Sequence, residues 1–473
     1  MKEPIHPSEL DPKERITGFK EVISGYREDQ AVEEARRCLQ CKNPLCIQGC
    51  PVGIDIKKFI AHIQRGKFLR AYEIIKEKNR FPSICGRVCP AEYQCRRACV
   101  LSGKHAPYAS ARAIQIHFLE RFAGDYGLRH AGGRASSRLP RDGRRVAIVG
   151  SGPAGVCCAG ELARAGVTPV LYEALHLPGG VLRYGIPEFR LPRDVLRQEI
   201  DTILSAGGEV IPNVLVGRTC ALDELREQYD AVFLGVGAGT PSFLGIPGEQ
   251  LGNVYSANEY LTRVNLMQAH HFPEYHTPIH VPARAVVIGG GNTAMDAARV
   301  ALRLQAAQGM KPEVTVVYRR TEEEMPCRRL ELLHAQEEGV KFKFLTQPVE
   351  FQGDAQGRVR GLRAVECRLG EKDASGRRRP VPQPDRPLQI ECDGAVIAIG
   401  LRPNQVLTRL TPQLKLNSRG EIEVDSQTMA TSLAGVFAGG DIAGGEGTVI
   451  EAMGMAKKAA RGILHFLSGK NSS

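Results

Sequence analysis

The sequence has no tryptophan and few aromatic residues, and it contains no long apolar run. Phenylalanine and tyrosine together make up 6% of its 473 residues. A membrane-spanning helix needs about 18 or more consecutive apolar residues, and no stretch of the chain provides them. The N-terminal segment MKEPIHPSELDPKERITGFKEV also has no apolar core of signal-peptide length. We therefore expect a cytoplasmic protein that does not bind a membrane.

The scarcity of aromatic residues also bears on the positive charge of the chain. The 63 lysines and arginines outnumber the 52 acidic residues, which gives a formal net charge of +11. Much of this excess lies in two stretches that we expect to be flexible, 129–145 and 376–380, and neither interleaves aromatic residues that could stack on bases. We expect no nucleic-acid binding and attribute the charge to phosphate-bearing cofactors or to an acidic partner.

Two kinds of catalytic grouping are also absent. No Ser/His/Asp arrangement and no pair of carboxylates suited to acid/base catalysis stands out, so we predict no catalytic side chain. No C-x-x-C motif occurs after residue 130, where Cys157 and Cys158 are adjacent at the start of a predicted helix. Disulfide reductases of the thioredoxin reductase type use such a motif, so we expect these two cysteines to pack rather than react.

Cysteine itself is abundant, and eight of the 14 cysteines form two groups. Clustered cysteines in the reducing cytoplasm bind metals more often than they form disulfides. A single C-x2-C pair occurs among the eight, whereas a zinc ribbon uses two, and a three-cysteine run followed by Cys-Pro is typical of ferredoxins. Eight thiolates suffice for two 4Fe-4S clusters. The two stretches, CLQCKNPLCIQGCP and CGRVCPAEYQCRRAC, carry Cys38, Cys41, Cys46, Cys50, Cys85, Cys89, Cys95 and Cys99.

A first glycine turn, VGSGPAG, fits the pyrophosphate of a dinucleotide. Gly150, Gly152 and Gly155 match G-x-G-x-x-G, in which glycine permits a tight turn, close approach of the phosphates and close helix packing. Glu173 ends the next strand-like stretch, where a carboxylate can accept hydrogen bonds from ribose hydroxyls. Asp441 follows the stretch GVFAGG and can hold a ribityl chain, so we assign this site to FAD. The other candidate FAD residues are Pro153, Ala154, Gly180, Gly440 and Thr448.

A second turn, GGGNTA, has Ala294 in place of the third glycine, and alanine is also tolerated there. The strand-like stretch VTVVYRR that follows ends in Arg319 and Arg320, where the first unit has Glu173. Guanidinium groups suit the 2′-phosphate of NADP through charge-assisted hydrogen bonds, so we assign this site to NADPH. The other candidate NADPH residues are Gly289, Gly290, Gly291, Asn292 and Thr293.

The order of these patterns predicts the domain organisation. Residues 1–130 show apolar residues at helical spacing, and the Gly/Ser/Arg-rich segment 131–144 is expected to be a linker. The stretches DAVFLGVGAGTP and DGAVIAIGLRPN resemble each other and bracket the second glycine turn, so we interpret them as crossings into and out of an inserted domain. We predict an α/β protein with an α-helical iron-sulfur domain and two Rossmann-type domains. The expected boundaries are 1–130 for the iron-sulfur domain, 144–280 and 395–473 for the FAD domain, and 281–394 for the inserted NADPH domain.

An ordered set of motifs resembles one known family over about residues 15–468. The motifs are CLQC-x4-C-x3-CP, CGRVCP, VAIVGSGPAG, YGIPEFRLP, GGGNTAMDAA, VYRR-x3-EMP and AGGDIAGG. Together they are similar to the small (beta) subunit family of NADPH-dependent glutamate synthase. That family includes the large subunit of NADH-dependent ferredoxin:NADP oxidoreductase and the N-terminal part of dihydropyrimidine dehydrogenase. The resemblance implies two 4Fe-4S clusters in the helical domain, followed by FAD and NADPH domains.

The resemblance also implies how the ligands divide between two clusters. Gln115 would complete one cluster, since it lies 16 residues after Cys99, about the family spacing. The segment ARAIQIHFLE around Gln115 departs from the family pattern, so Glu120 and Cys85 are alternatives. The implied sets are Cys38, Cys41, Cys46 and Gln115 for one cluster, and Cys50, Cys89, Cys95 and Cys99 for the other.

The function that the resemblance implies is electron transfer from NADPH through FAD and the clusters to a partner subunit. Flavin is required because nicotinamide gives two electrons together, whereas a cluster accepts one. The favoured function is the NADPH-oxidising small subunit of glutamate synthase, which would not make glutamate without its large subunit. The alternative is a subunit of an electron-bifurcating ferredoxin:NADP oxidoreductase or a sulfide dehydrogenase, with a ferredoxin-reductase-like partner. Intact glycine turns disfavour a non-catalytic scaffold.

Overall fold

The computed structural model describes residues 3–103, 108–131, 140–205, 207–445 and 447–469. Of the expected linker 131–144, residues 132–139 lie outside the described residues. The part before this linker is helical. Its helices are α1 (Pro12–Arg15), α2 (Glu28–Arg36), α3 (Leu45–Gln48), α4 (Ile56–Gln64), α5 (Phe68–Lys78), α6 (Pro82–Val88) and α7 (Ile116–His130), with a 3-10 turn at Val100–Ser102.

Helix α4 shows why this part of the sequence forms helices. Asp55 caps its N-terminus, because the side chain accepts a hydrogen bond from the backbone N–H of Lys58 at 3.1 Å. Apolar residues recur at three- and four-residue spacing on one face and pack in a core shared with α2, α5 and α7. These buried residues are Ile56, Phe59, Ile60 and Ile63.

Helices α6 and α7 approach each other closely because each has a glycine at the contact. A Cβ on Gly86 would lie 2.5 Å from the backbone of Arg121, and one on Gly124 would lie 2.6 Å from the backbone nitrogen of Ser83. Every residue of α6 is buried. Its apolar side chains belong to the same core as the first sheet described below, so the second cysteine stretch begins between the helical part and the α/β part.

The first α/β unit contains a five-stranded parallel sheet. Its strands are β1 (Arg145–Val149), β2 (Thr168–Tyr172), β3 (Glu209–Ile211), β4 (Ala231–Leu234) and β15 (Val436–Ala438). Their order is β15-β4-β1-β2-β3, with every neighbouring pair parallel. Because β15 comes from the C-terminal part, the chain returns to this sheet after the second unit. The helices are α8 (Pro153–Arg164), α9 (Val181–Tyr184), α10 (Arg193–Leu204), α11 (Leu222–Gln228), α15 (Gln405–Leu410) and α16 (Val449–Gly469).

The second α/β unit repeats this arrangement. Its strands are β6 (Val254–Ser256), β7 (Ala285–Ile288), β8 (Val314–Val317), β9 (Lys341–Lys343) and β13 (Gly394–Ile397), in the parallel order β6-β13-β7-β8-β9. Its helices are α12 (Ala257–Asn265), α13 (Asn292–Ala307) and α14 (Arg329–Glu337). The expected boundaries at 280 and at 395 differ from this arrangement, because β6 lies before the first, β13 spans the second, and both strands pair in the second sheet. A strand of three residues, VYS, is too short for a recognisable apolar pattern.

An antiparallel sheet that the sequence did not predict follows β9 along the chain. It consists of β10 (Thr346–Gly353), β11 (Val359–Lys372) and β12 (Arg378–Glu391). The basic stretch 376–380, which we expected to be flexible, includes the start of β12. The alternating pattern was hidden because β12 is largely exposed and carries charged residues and prolines.

The two crossings between the α/β units lie side by side. Strand β5 (Thr240–Pro241) pairs antiparallel with β14 (Leu401–Arg402), and each follows the last strand before the chain changes unit. An insertion requires such an arrangement, since the chain must enter and leave at one place. The other 3-10 turns are Ala269–His271, Glu322–Glu324 and Asp441–Ala443. Within the described ranges, none of the helices has both the length and the apolar character that crossing a bilayer requires.

Candidate functional site: a nucleotide cavity and two cysteine groups

The first glycine turn joins β1 to α8 and packs closely against neighbouring backbone. Gly150 has a φ of +97°, and a Cβ on it would lie 2.6 Å from the carbonyl oxygen of Gly235. A Cβ on Gly155 would lie 1.9 Å from the carbonyl oxygen of Gly150. Gly152 caps α8 and faces Gly180, where a Cβ would lie 2.7 Å from the Gly152 Cα. No other residue type fits at Gly150 or Gly155, and the space above Gly152 leaves the backbone of the turn open to a pyrophosphate.

Glu173 is buried directly behind this turn. One carboxylate oxygen accepts hydrogen bonds from the backbone N–H of Ser151 at 3.0 Å and from the Ser151 hydroxyl. The other accepts from the backbone N–H of Leu175 at 2.8 Å. These bonds fix the carboxylate at the wall of the cavity described next. The oxygen that accepts from Leu175 can still accept a further hydrogen bond, as recognition of a ribose requires.

The C-terminal part contributes a third piece of the same wall. Gly440 has a φ of +80° and begins the 3-10 turn that contains Asp441. Burial raises the pKa of Asp441, while a hydrogen bond from the backbone of Gly447 opposes that rise. Thr448 directly precedes α16. The turn, the acid and the helix start thus converge beside the β1–α8 turn.

These pieces surround a cavity of about 990 Å³, at the upper end of the range of about 300–1,000 Å³ found for ligand sites. Its size and its glycine-lined wall fit a flavin dinucleotide. Gly155 does not line the cavity; it lies beneath the turn and allows α8 to pack closely against it. The predicted FAD residues that line the cavity are Gly150, Gly152, Pro153, Ala154, Glu173, Gly180, Gly440, Asp441 and Thr448.

Sequence reasoning missed part of the cavity wall. The segment 235–239, directly after β4, lines the cavity, and so do Tyr184, Arg190 and Asp296. A signal for the first was present, because β4 is an apolar strand that ends in GVGAG, as β1 ends in GSGPAG. Tyr184 and Arg190 lie in the YGIPEFRLP motif, and Asp296 lies in GGGNTAMDAA, but neither motif shows by itself that its side chains share one cavity.

The second glycine turn joins β7 to α13 in the same manner. Gly289 has a φ of +142°, and a Cβ on it would lie 2.2 Å from the carbonyl oxygen of Ala398. Gly290 lies under the ring of Tyr318, and a Cβ on Gly291 would meet no atom within 4 Å. The turn is therefore open to a ligand at Gly291. Of the predicted NADPH residues, those that border the same large cavity are Asn292 and Thr293.

The predicted arginine pair is divided in the structure. Arg319 is exposed. Arg320 is only 5% exposed, donates to the Asp373 carboxylate at 2.6 Å and to the carbonyl oxygen of Arg378 at 2.7 Å, and so ties β8 to the β11–β12 hairpin. Neither arginine lines the large cavity. Of the pair, Arg319 is therefore the one that a ligand can reach without displacing an ion pair.

Four cysteines line a separate small cavity in the helical part, and we call them the outer cysteine group: Cys38, Cys41, Cys46 and Cys99. Burial raises the pKa of Cys46 to about 12, and the charges of Cys99 and Cys38 add to that rise. Burial also raises the pKa of Cys38, with Cys99 and Cys41 adding to it. The thiols therefore lie within electrostatic range of one another, and a metal cluster bound by their thiolates would relieve this repulsion.

This grouping differs from the ligand set that the resemblance implied. Cys99 was expected with Cys50, Cys89 and Cys95, and Gln115 with the three cysteines from the first stretch. The neighbours of Gln115, Ile114 and Ile116, line the small cavity, but Gln115 does not. Its backbone N–H donates to Glu34 at 2.9 Å, and its side chain is buried at the start of α7. The turns over residues 91–98, which bring Cys99 back towards α4, could not be inferred from spacing.

The remaining predicted ligands form an inner cysteine group, Cys50, Cys89 and Cys95. Burial raises the pKa of Cys50 to about 11, and the charges of Glu120 and Cys89 add to the rise. Burial raises the pKa of Cys95 as well, and the charges of Cys50 and Glu120 add to that rise. Glu120 therefore lies near this group and not in the outer cavity. Its carboxylate accepts a hydrogen bond from the Asn79 amide at 2.6 Å.

The inner cysteine group lies next to residues that line the large nucleotide cavity. Val88 and Pro90, on either side of Cys89, both line that cavity. Cys85, the other alternative ligand, is buried on α6, with its sulfur 3.7 Å from the side-chain oxygen of Asn79. It belongs to the core shared with the first sheet and does not line the outer cavity. Cys85 and Cys89 thus lie where the helical part packs against the nucleotide-binding part.

Comparisons with known proteins agree with this architecture. A family model described as pyridine nucleotide-disulphide oxidoreductase matches residues 144–457, and one described as dihydropyrimidine dehydrogenase domain II, 4Fe-4S cluster, matches residues 15–131. The chain is 36% identical to the glutamate synthase (NADPH) small chain of Escherichia coli K12, over 98% of this chain and 97% of the relative. The chain belongs to the glutamate synthase small-chain family. The predicted family and the pyridine-nucleotide-dependent oxidoreductase class are confirmed.

Relatives with other names match at similar identity. The NADP(+)-dependent formate dehydrogenase subunit beta of Moorella thermoacetica is 36% identical over 89% of this chain and 60% of its own length. The NADPH-Fe(3+) oxidoreductase subunit beta of Geobacter sulfurreducens PCA is 37% identical over 95% of this chain and 67% of its own length. Among solved structures, Mycobacterium tuberculosis FprA in complex with NADPH matches with a TM-score of 0.58 at 23% identity, over 71% of this chain and 86% of that chain. The predicted α/β fold class is thereby confirmed as well.

Proposed function

We propose that this chain is the NADPH-oxidising subunit of a hetero-oligomeric enzyme and delivers electrons to a partner subunit by way of FAD and two 4Fe-4S clusters. The glutamate synthase small chain is the function that we favour. The relative of that name is matched over 97% of its length, whereas the formate dehydrogenase and Fe(3+) oxidoreductase subunits are matched over 60% and 67% of theirs.

One observation carries this proposal: three redox elements meet at one cavity. The first glycine turn, the start of α13 behind the second glycine turn, and the residues on either side of Cys89 all line it. When bound, FAD would take a hydride from NADPH and pass electrons singly to iron-sulfur clusters. The role of the chain is to hold these groups side by side.

For FAD, the proposed contacts follow from the cavity wall. The backbone at Gly150 and Gly152 would receive the pyrophosphate, and Glu173 would accept hydrogen bonds from the adenosine ribose. Asp441 and Thr448, which lie beside the β1–α8 turn, would hold the ribityl side. The buried ion pair of Arg190 and Asp296 joins the two units at the wall of this cavity.

For NADPH, the open backbone at Gly291 and the start of α13 would receive the pyrophosphate. Arg319 would contact the 2′-phosphate, because its guanidinium is exposed at the end of the second strand. Arg320 would act indirectly, since its ion pair with Asp373 fixes the loop from which Arg319 projects.

For the clusters, we propose that the outer cysteine group holds one and that the inner group holds the other. The outer group already has four cysteines and the inner group has three, so we assign Gln115 to the inner cluster as its fourth ligand. Glu120 is the alternative, but ligation by its carboxylate would compete with the hydrogen bond from Asn79. Electrons would then leave the nucleotide cavity at the inner group and reach the outer group next.

Anaerobic purification and spectroscopy test the proposal. The protein should show flavin bands over a broad iron-sulfur absorbance, and NADPH should bleach both faster than NADH does. A colourless protein with bound zinc would contradict the iron assignment, and a coloured protein that NADPH leaves unchanged would contradict the nucleotide assignment. The co-purifying subunit decides the name: an FMN- and glutaminase-containing chain supports glutamate synthase, and a ferredoxin-reductase-like chain supports the bifurcating or sulfide dehydrogenase alternative.

A further inference from the structure

Three large apolar side chains at the surface surround the outer cysteine group. Leu39, Leu45 and Val100 are each adjacent in sequence to one of its cysteines, and all three line its cavity. Their side chains are nevertheless 56%, 46% and 49% exposed. Single exposed apolar residues are ordinary, but a group around one site indicates a contact surface. We call these three residues the apolar rim.

The segments that carry the apolar rim are strongly basic. Lys42 and Arg97 are exposed, and Lys57 lines the cavity itself. Asp55 is the sole acidic residue within 36–58 and 95–103, and its carboxylate caps α4. On the far side of Leu39, a groove lined by acidic residues of α2 borders the patch. The surface beside the outer cysteines is therefore apolar at its centre and cationic over most of its edge.

The position of this surface matters because the two cysteine groups differ in what they border. The inner group meets the nucleotide cavity through Val88 and Pro90. The outer group meets solvent through the apolar rim. Electron transfer slows steeply as the distance between redox centres grows, so a partner that accepts electrons must lie against the outer group.

We propose that the apolar rim and its basic edge form the docking surface for the redox partner, a protein that presents an acidic face with an apolar centre beside its own redox group. This inference rests on the proposed function. Opposite charges would orient the encounter and raise its rate, and they would matter less at high salt. The apolar centres would then exclude water between the two redox groups.

The test uses the anaerobic holoenzyme with NADPH and two small protein acceptors, acidic rubredoxin and basic cytochrome c. The variant Lys42→Glu/Arg97→Glu should lower kcat/KM for rubredoxin about tenfold or more at low salt. High salt should narrow the difference in kcat/KM between the wild type and this variant. The variant Leu39→Ser/Val100→Ser should also lower kcat/KM for rubredoxin, with less dependence on salt. Reduction of ferricyanide by Lys42→Glu/Arg97→Glu should be unchanged, because neither side chain borders the nucleotide cavity.

The matched control is Arg360→Glu/Lys372→Glu, which makes the same charge change at two exposed positions on β11. It should leave rubredoxin reduction unchanged. The proposal is overturned if the control and the rim variants lose rubredoxin reduction equally, if the rim variants retain it, or if the wild type prefers cytochrome c. A wild-type protein that does not reduce ferricyanide with NADPH would instead contradict the proposed function itself.

Discussion

Arg190 and Asp296 join the two nucleotide-binding units across the cavity that both units line. The Nη1 atom of Arg190 lies 2.8 and 2.7 Å from the two carboxylate oxygens of Asp296. The Nε atom of Arg190 lies 3.0 Å from a carboxylate oxygen of Glu331. Burial raises the pKa of Asp296 to about 6, although the Arg190 guanidinium opposes that rise. The carboxylate is therefore charged at neutral pH, and the contact between the units depends on that charge.

Replacing Asp296 with Asn should slow the reduction of bound flavin by NADPH about tenfold or more, because a buried charge-assisted hydrogen bond contributes about 1.5–3 kcal/mol. Protonation of Asp296 should have the same effect in the wild type, so the rate of flavin reduction should fall as the pH drops through about 6. The rate of the Asn variant should not change with pH in that range. Stopped-flow flavin bleaching measures both. Arg197→Ala, at an exposed pair with Asp194, is the control. Identical pH profiles for the wild type and Asp296→Asn would refute this role.

Glu338 should be essential for stability. It accepts hydrogen bonds from Arg299 and Arg303, each at 2.7 Å, and all three side chains are fully buried. Glu338→Gln leaves the buried guanidinium of Arg303 without its carboxylate partner and leaves Arg299 paired with Glu331 alone, which should cost about 3–5 kcal/mol of unfolding free energy. Glu313→Gln, which breaks an exposed pair with Lys341, should cost less than about 1 kcal/mol. Chemical denaturation of both variants makes the comparison.

The same residue predicts a pH dependence. Burial favours the neutral acid, but Arg299 and Arg303 outweigh it and hold the pKa of Glu338 at about 2. The pKa is lower in the folded than in the unfolded protein, so this stabilisation is fully present above the unfolded pKa of about 4.3 and is lost as the pH falls towards 2. Glu338→Gln should therefore flatten the acid limb of the stability curve. An unchanged acid limb would show that other carboxylates determine it.

Serine substitutions should separate the two cysteine groups. Cys38→Ser and Cys99→Ser should each remove the same electron paramagnetic resonance signal, and Cys95→Ser should remove the other. Each variant should lose about four of about eight iron atoms, because each 4Fe-4S cluster needs four ligands. If Cys99→Ser instead removes the signal that Cys95→Ser removes, the grouping that the family resemblance implied would be correct.

The fourth ligand of the inner group can be identified in the same way. Gln115→Ala should change the signal that Cys95→Ser removes, whereas Glu120→Gln and Cys85→Ser should leave it in place. Thermal unfolding of each variant separates ligation from folding, since Glu120 also bonds Asn79 within the core. If Glu120→Gln alone changes the signal, Glu120 is the ligand.

The divided arginine pair predicts two different phenotypes. Arg319→Ala should raise KM for NADPH about tenfold or more and leave KM for NADH nearly unchanged, because one charge-assisted contact to the 2′-phosphate contributes about 1.5–3 kcal/mol. Arg320→Ala should mainly lower stability, since it removes the ion pair with Asp373. Steady-state kinetics with both nucleotides, together with thermal unfolding, distinguishes the two. Equal effects on NADPH and NADH from Arg319→Ala would end its assignment.

Local patterns made most of the nucleotide sites predictable. Gly150, Gly155 and Gly289 could be identified because the steric demand of a strand-turn-helix unit falls on residues only a few positions apart. Asp441 could be identified from an apolar strand followed by two glycines. The strand β6 and the antiparallel sheet of β10, β11 and β12 escaped notice, because the first is three residues long and the last is largely exposed. Their placement depends on pairing with distant strands.

By itself the sequence determined the class of protein, its two glycine turns and the eight clustered cysteines, since each depends on neighbouring residues. Only the tertiary structure decided that Cys99 lines the same small cavity as Cys38, that Arg320 turns away to Asp373 while Arg319 stays exposed, and that the neighbours of Cys89 line the nucleotide cavity. The physical reason is the same in each case. Burial and ion pairing between residues far apart in sequence select one partner among several that the local spacing permits.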